Sequence, residues 1–78
     1  MPQIDRFSGI KINIYNGDHR PPHIHASYNE YEVLITIESG HIYAGDLPTK
    51  QLKMVYDWLA INADEALDMF YQMNPELL

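Results

Sequence analysis

Three short stretches alternate apolar with polar residues at a period of two, and this alternation constrains the chain more than any other feature. Ile10, Ile12 and Ile14 alternate with Lys11, Asn13 and Tyr15. Ile24, Ala26 and Tyr28 alternate with His23, His25 and Ser27, and Val33, Ile35 and Ile37 alternate with Leu34, Thr36 and Glu38. A period of two puts one side-chain set on each face of a strand, so each stretch reads as a half-buried strand. Asn16-Gly17-Asp18 ends the first, and Pro21-Pro22 then fixes an extended approach to the second.

The punctuation between stretches suggests a meander. A two-residue turn at Asn29-Glu30 pairs Ala26 with Val33, Ile24 with Ile35, His25 with Leu34 and His23 with Thr36. A two-residue turn at Ser39-Gly40 leads into a short strand over 41–45. It pairs Ile37 with Ile42 and Ile35 with Ala44, and sets His41 beside Glu38 and Thr36 beside Tyr43. Both registers gather the apolar residues on one face. Beyond Leu47-Pro48-Thr49, with Thr49 or Asp46 as cap, Leu52, Val55, Tyr56 and Leu59 recur at helical spacing. Asn62-Ala63-Asp64-Glu65 reads as a fresh N-cap with its capping-box acid. A second stripe of Ala63, Ala66, Leu67, Phe70 and Tyr71 follows, and Asn74-Pro75 ends it. The expected fold is α+β: a four-stranded antiparallel β-meander with one face covered by two C-terminal helices, 49–61 and 63–73, or by one kinked helix.

At 78 residues the chain holds one domain, 1–78, with no repeat or linker. A core this small is marginal, and with no cysteine no disulfide supports it. Met1-Pro2-Gln3-Ile4-Asp5 has neither a basic nor a long apolar run, and no stretch is long enough to span a bilayer, so a cytoplasmic protein is expected. Eleven acidic against five basic residues give a net charge of −6. That balance disfavours nucleic acid, leaving Arg6, Lys11 and Arg20 as the local basic group for any RNA contact. The six acids Asp46, Asp57, Asp64, Glu65, Asp68 and Glu76 in the C-terminal half suit solubility or a basic partner. Met54, Met69 and Met73 read as core fillers or as an adaptable partner surface.

The open sheet face carries the chemistry. His23 and His25 share it with Thr36, Leu34 and Tyr43, and pairing with the first strand adds Lys11, Asn13 and Tyr15. His19 lies in the loop before Pro21. A His-x-His pair on a strand offers two ligands to zinc or another divalent transition metal, with His19 as third; Asp18 is the one nearby carboxylate. Alternatively, His23 and His25 exchange protons with a substrate while Lys11 or Arg20 steadies the phosphate, as RNA cleavage through the 2′-hydroxyl requires, with Tyr43 a further candidate on the same face. The plain alternative is that these histidines are solvated, bonded to turn backbone, or part of an interface.

Ile4-Asp5-Arg6-Phe7-Ser8-Gly9-Ile10-Lys11-Ile12 and Asp18-His19-Arg20-Pro21-Pro22-His23-Ile24-His25-Ala26 resemble the small bacterial family called domain of unknown function 4160. Tyr28, Gly45-Asp46-Leu47-Pro48, Val55 and Trp58 extend the resemblance over nearly the whole chain. His-x-x-Pro-Pro-His-x-His-Ala is its most specific part. Asn29-Glu30 departs from it, where the resemblance leads one to expect a glycine. The family's shared residues fall on Phe7, Gly9, His19, Pro21, Pro22, His23 and His25. The resemblance implies a cytoplasmic protein encoded beside a second short protein, such as one of the uncharacterised family 2442, in a toxin–antitoxin-like pair. The expected function is therefore partner-protein binding through the histidine-bearing sheet face, alone or as a homo-oligomer. The competing expectation is a histidine-dependent or metal-assisted ribonuclease or phosphodiesterase.

Overall fold

The structure, a computed structural model, describes residues 3–78. Met1 and Pro2, which belong to the expected domain and to the start read as lacking a leader, lie outside the described residues. Five strands follow one another in the chain and in the sheet: β1 (Gln3–Phe7), β2 (Ile10–Asn13), β3 (His23–Tyr28), β4 (Tyr31–Thr36) and β5 (Ile42–Asp46). All neighbours are antiparallel. One helix, α1 (Thr49–Met73), and a 3-10 turn at Pro75–Leu77 complete the chain. The α+β architecture and the meander stand, but there are five strands instead of four and one helix instead of two.

The added strand is β1. It carries apolar side chains only at Ile4 and Phe7, because a bulge between Gln3 and Asp5 breaks the alternation that a strand would otherwise show. Ser8 and Gly9, with φ of 50° and 77°, turn it into β2. Two consecutive left-handed residues suit the twist of a two-residue hairpin.

The β3–β4 register is the one the alternation implies, with His23 opposite Thr36, His25 opposite Leu34 and Ala26 opposite Val33. Asn29, at φ 54°, takes the left-handed position in its two-residue turn. Asparagine tolerates this conformation, so the turn closes without glycine.

The β4–β5 register differs from expectation. Ile35 faces Ile42 and Leu34 faces Ala44, two positions back from the Ile37–Ile42 pairing. A longer loop replaces the Ser39-Gly40 turn: Thr36 N–H donates to His41 O at 2.9 Å and Gly40 N–H to Thr36 O at 2.8 Å. Ile37 explains the difference. Its N–H donates to Pro22 O at 3.0 Å, extending the β3–β4 ladder, and its side chain is buried in the core. Pairing it with β5 would have lost that burial. His41 accordingly sits in the loop, where its N–H donates to Ser39 Oγ at 3.2 Å, and is not the cross-strand partner of Glu38. Tyr56 on α1 pins the loop by donating to Gly40 O at 2.7 Å.

The helix runs unbroken through Asn62, whose Nδ2 donates to Trp58 O one turn back at 2.9 Å. Its side chain is thus engaged within the helix and does not cap a new one. The buried stripe Val55, Leu59, Ala66 and Phe70 is one continuous face, so no break is needed to present it. Neither Thr49 nor Asp46 caps the start: Pro48 precedes it, and Asp46 Oδ1 accepts Leu47 N–H. The stripe covers Ile10, Ile12, Ile14, Ile24, Ala26, Val33 and Ile35. Met54, Met69 and Met73 are partly buried against this core. Among the described residues, no helix is long and apolar enough to cross a membrane.

Candidate functional site

β3 aims His23 and His25 at the face opposite Ile24 and Ala26, and this face is closed at one end. The segment between β2 and β3 folds across it, held by Asn74 just beyond α1. Asn74 is fully buried. Its Oδ1 accepts Asp18 N–H at 2.8 Å, and its Nδ2 donates to Tyr15 O at 2.9 Å and Phe70 O at 3.0 Å. Arg20 reaches the same end of the molecule and donates to Leu77 O. The loop is thereby tied to both the sheet and the helix terminus.

This tie places Asp18 over the histidines. Asp18 Oδ2 lies 3.1 Å from His23 Nε2 and 3.1 Å from His25 Nε2. The three ligand-capable atoms lie within 4.8 Å of one another. His25 makes a hydrogen bond to the carboxylate. His23 does not, despite the equal distance: its Nε2 is buried without a hydrogen-bond partner, so the contact lacks bonding direction. His23 Nδ1 lies 2.7 Å from Pro21 O, and since a carbonyl only accepts, that nitrogen carries a proton. The nitrogen of His25 that points away from Asp18, Nδ1, lies 3.6 Å from Glu32 Oε2.

Burial alone would push the Asp18 carboxyl up. The His25 hydrogen bond, the His19 backbone N–H and the charges of His23 and His25 outweigh it, and the group is held below its ordinary value.

Rings pack closely around this centre. Tyr15 meets His25 edge-on at 4.6 Å, and the His23 ring lies 5.0 Å from His25, 5.5 Å from Tyr43 and 5.8 Å from Phe70. His23 is therefore buried, although the alternation suggested an open face. Tyr43 reaches the centre through the β4–β5 bulge, where it is the extra residue between Ile42 and Ala44. A bulge re-aims side chains in this way.

The expected residues divide accordingly. His23 and His25 converge, with Asp18 between them. His19 stands at the rim with its side chain 59% exposed and its Nε2 3.7 Å from Asp18 Oδ1. Its Nδ1 donates to Arg20 O at 3.0 Å, and Tyr43 OH lies 3.4 Å from each of its ring nitrogens. Lys11 is exposed and pairs with Ser27, two residues along β3 from His25. Asp18 was legible only as a nearby carboxylate. Asn74 reads in the sequence only as a helix stop and Glu32 only as a solvated acid, since nothing in a single sequence links residues 7 and 56 positions from His25 and Asp18.

Surface clefts lie elsewhere, for example between Tyr71 and Leu78 and between Ile4 and Trp58.

A five-stranded meander under one long helix, with a partly buried carboxylate–imidazole centre at one end, defines a small single-sheet α+β domain. The chain belongs to the family described as Domain of unknown function (DUF4160), whose family model matches residues 9–71. That span contains Asp18, His23 and His25, while Asn74 falls beyond it. No curated protein and no solved structure matches the chain.

Proposed function

We propose that the chain is one component of a bacterial, cytoplasmic, toxin–antitoxin-like two-gene module, and that it works by binding a partner protein at the histidine-bearing end of the sheet. The observation that carries this reading is β5. Every residue of this edge strand is exposed, Ile42 and Tyr43 among them, and Tyr43 adjoins the centre. An exposed strand edge offers unpaired backbone groups to an added strand. Glu32 and Asp46 sit directly opposite each other, both exposed. Like charges so placed repel, and a partner strand bearing Lys or Arg would relieve them. Co-expression with the neighbouring gene product and size-exclusion chromatography test this. A co-eluting complex is expected, weakened by Asp46→Lys; two separate peaks and no effect on growth would refute it.

The convergence of two imidazoles and a carboxylate favours a second reading, a histidine-dependent or metal-assisted ribonuclease or phosphodiesterase. The local field works against it: Asp18 and Glu32 both contact the histidines while Lys11 stands apart, so a bare phosphodiester would be repelled. Unchanged RNA cleavage or toxicity in His25→Ala would end this reading.

A further inference from the structure

His23 Nε2 poses a definite chemical problem. The side chain is wholly buried, and its Nδ1 proton is committed to Pro21 O. In the neutral ring Nε2 then presents a lone pair. That lone pair sits 3.1 Å from a carboxylate oxygen, itself rich in electrons, with no hydrogen-bond partner. A buried polar atom left this way is costly. A proton on Nε2 would answer it only along the line to Asp18, and the geometry is off that line. A cation seated between the three groups answers it without that requirement, because ligand atoms aim at a shared third point and not at each other.

We propose that Asp18 Oδ2, His23 Nε2 and His25 Nε2 are the ligands of one divalent transition-metal ion, zinc foremost. Ligand bonds of about 2.0–2.1 Å in tetrahedral array place neighbouring ligand atoms about 3.3 Å apart. The two Asp18–histidine separations, 3.1 Å each, need only a small adjustment to match. The far sides of both rings fit as well. Metal-binding histidines characteristically donate the other ring N–H to a carbonyl or carboxylate, which fixes the tautomer. Pro21 O faces Nδ1 of His23 at 2.7 Å, and Glu32 Oε2 faces Nδ1 of His25 at 3.6 Å. On binding, the His25 proton moves from Nε2 to Nδ1, toward Glu32. Two imidazoles and one carboxylate suit zinc, cobalt, nickel or ferrous iron, and suit neither calcium nor magnesium, which take oxygen ligands. His19 is not in the ligand set: its ring is exposed at the rim, and its Nε2 lies 3.7 Å from Asp18 Oδ1, the oxygen that does not meet the other two histidines. The site is independent of the partner and of any reaction, and failure of either earlier reading leaves it standing.

Metal-stripped full-length protein titrated with cobalt(II), read by visible absorption, and with zinc(II), read by calorimetry, tests the site. One ion per chain is expected, with zinc displacing cobalt and raising the midpoint of thermal unfolding. Asp18→Asn and His25→Gln should each raise the Kd by about 100-fold or more, with the far-UV circular dichroism unchanged. His19→Ala should keep both stoichiometry and Kd. Should either ligand variant fail to fold, imidazole nitrogen NMR of the wild type decides instead: zinc must shift Nε2 of His23 and His25 and leave the His23 Nδ1–H in place. Absence of binding, binding untouched by His25→Gln, loss of binding in His19→Ala, or loss of the His23 Nδ1–H on adding zinc would each overturn the assignment.

Discussion

Gly45 and Gly17 both take left-handed backbone, with φ of 77° and 74°, but their surroundings differ. A Cβ at Gly45 would collide with the backbone of Glu32, whereas one at Gly17 would meet nothing. Gly17→Ala should therefore cost only the conformational strain, about 1–2 kcal/mol. Gly45→Ala adds overpacking against backbone and should cost about 2–5 kcal/mol in all; urea denaturation of the two variants measures the gap. Asn74→Ala strips the part-buried Asp18 N–H and Tyr15 O of their partner, and each group left bare costs about 1 kcal/mol, the low end for a buried group. The loss should show both in urea midpoints and as faster amide exchange at Asp18. Asp18 itself makes stability depend on acid. Its carboxyl is held below its ordinary value in the fold, so as pH falls the unfolded chain takes up the proton first. The stabilisation is complete above the ordinary value of 3.8 and drains away as pH drops through the lower folded value. In the metal-free protein, Asp18→Asn should flatten the stability curve across that acid window.

Elements were readable where side-chain alternation was intact. Ile24, Ala26, Val33 and Ile35 specified the β3–β4 register, because a slip of one would have exposed all four. The bulged β1 has no alternation to read, and the Ser39-Gly40 signal was overridden by the burial of Ile37, a tertiary effect. Asn62 misled because Asn-x-x-Glu looks alike at a helix start and inside a helix; only the face continuous from Leu59 to Phe70 decides. A stability measurement separates the two. If Asn62 capped a second helix, alanine would cost about 1 kcal/mol. In a continuous helix Asn62→Ala gains propensity while losing one side-chain bond, and the change should stay within about 0.5 kcal/mol. The candidate site was half legible: His-x-His on a strand was plain, but its carboxylate depends on where Asn74 holds a distant loop.

The whole molecule rests on one small core, with Phe70 its largest fully buried side chain. Phe70→Ala should cost about 3–5 kcal/mol, comparable with the entire stability of a small domain. Since the Phe70 ring also packs beside His23, near-UV circular dichroism and metal uptake should fail together in that variant. The clamp at Asn74 has a further consequence, in time. It joins Asp18 and Tyr15 to a residue 56 and 59 positions later in the chain. The strands of the meander pair with close neighbours in sequence and meet early, but the loop carrying Asp18 lacks its tie to Asn74 until residue 74 has left the ribosome. Chains stalled before that point would hold Asp18 to β3 only through its own histidine contacts, so the centre is clamped last, after synthesis has passed the end of the helix.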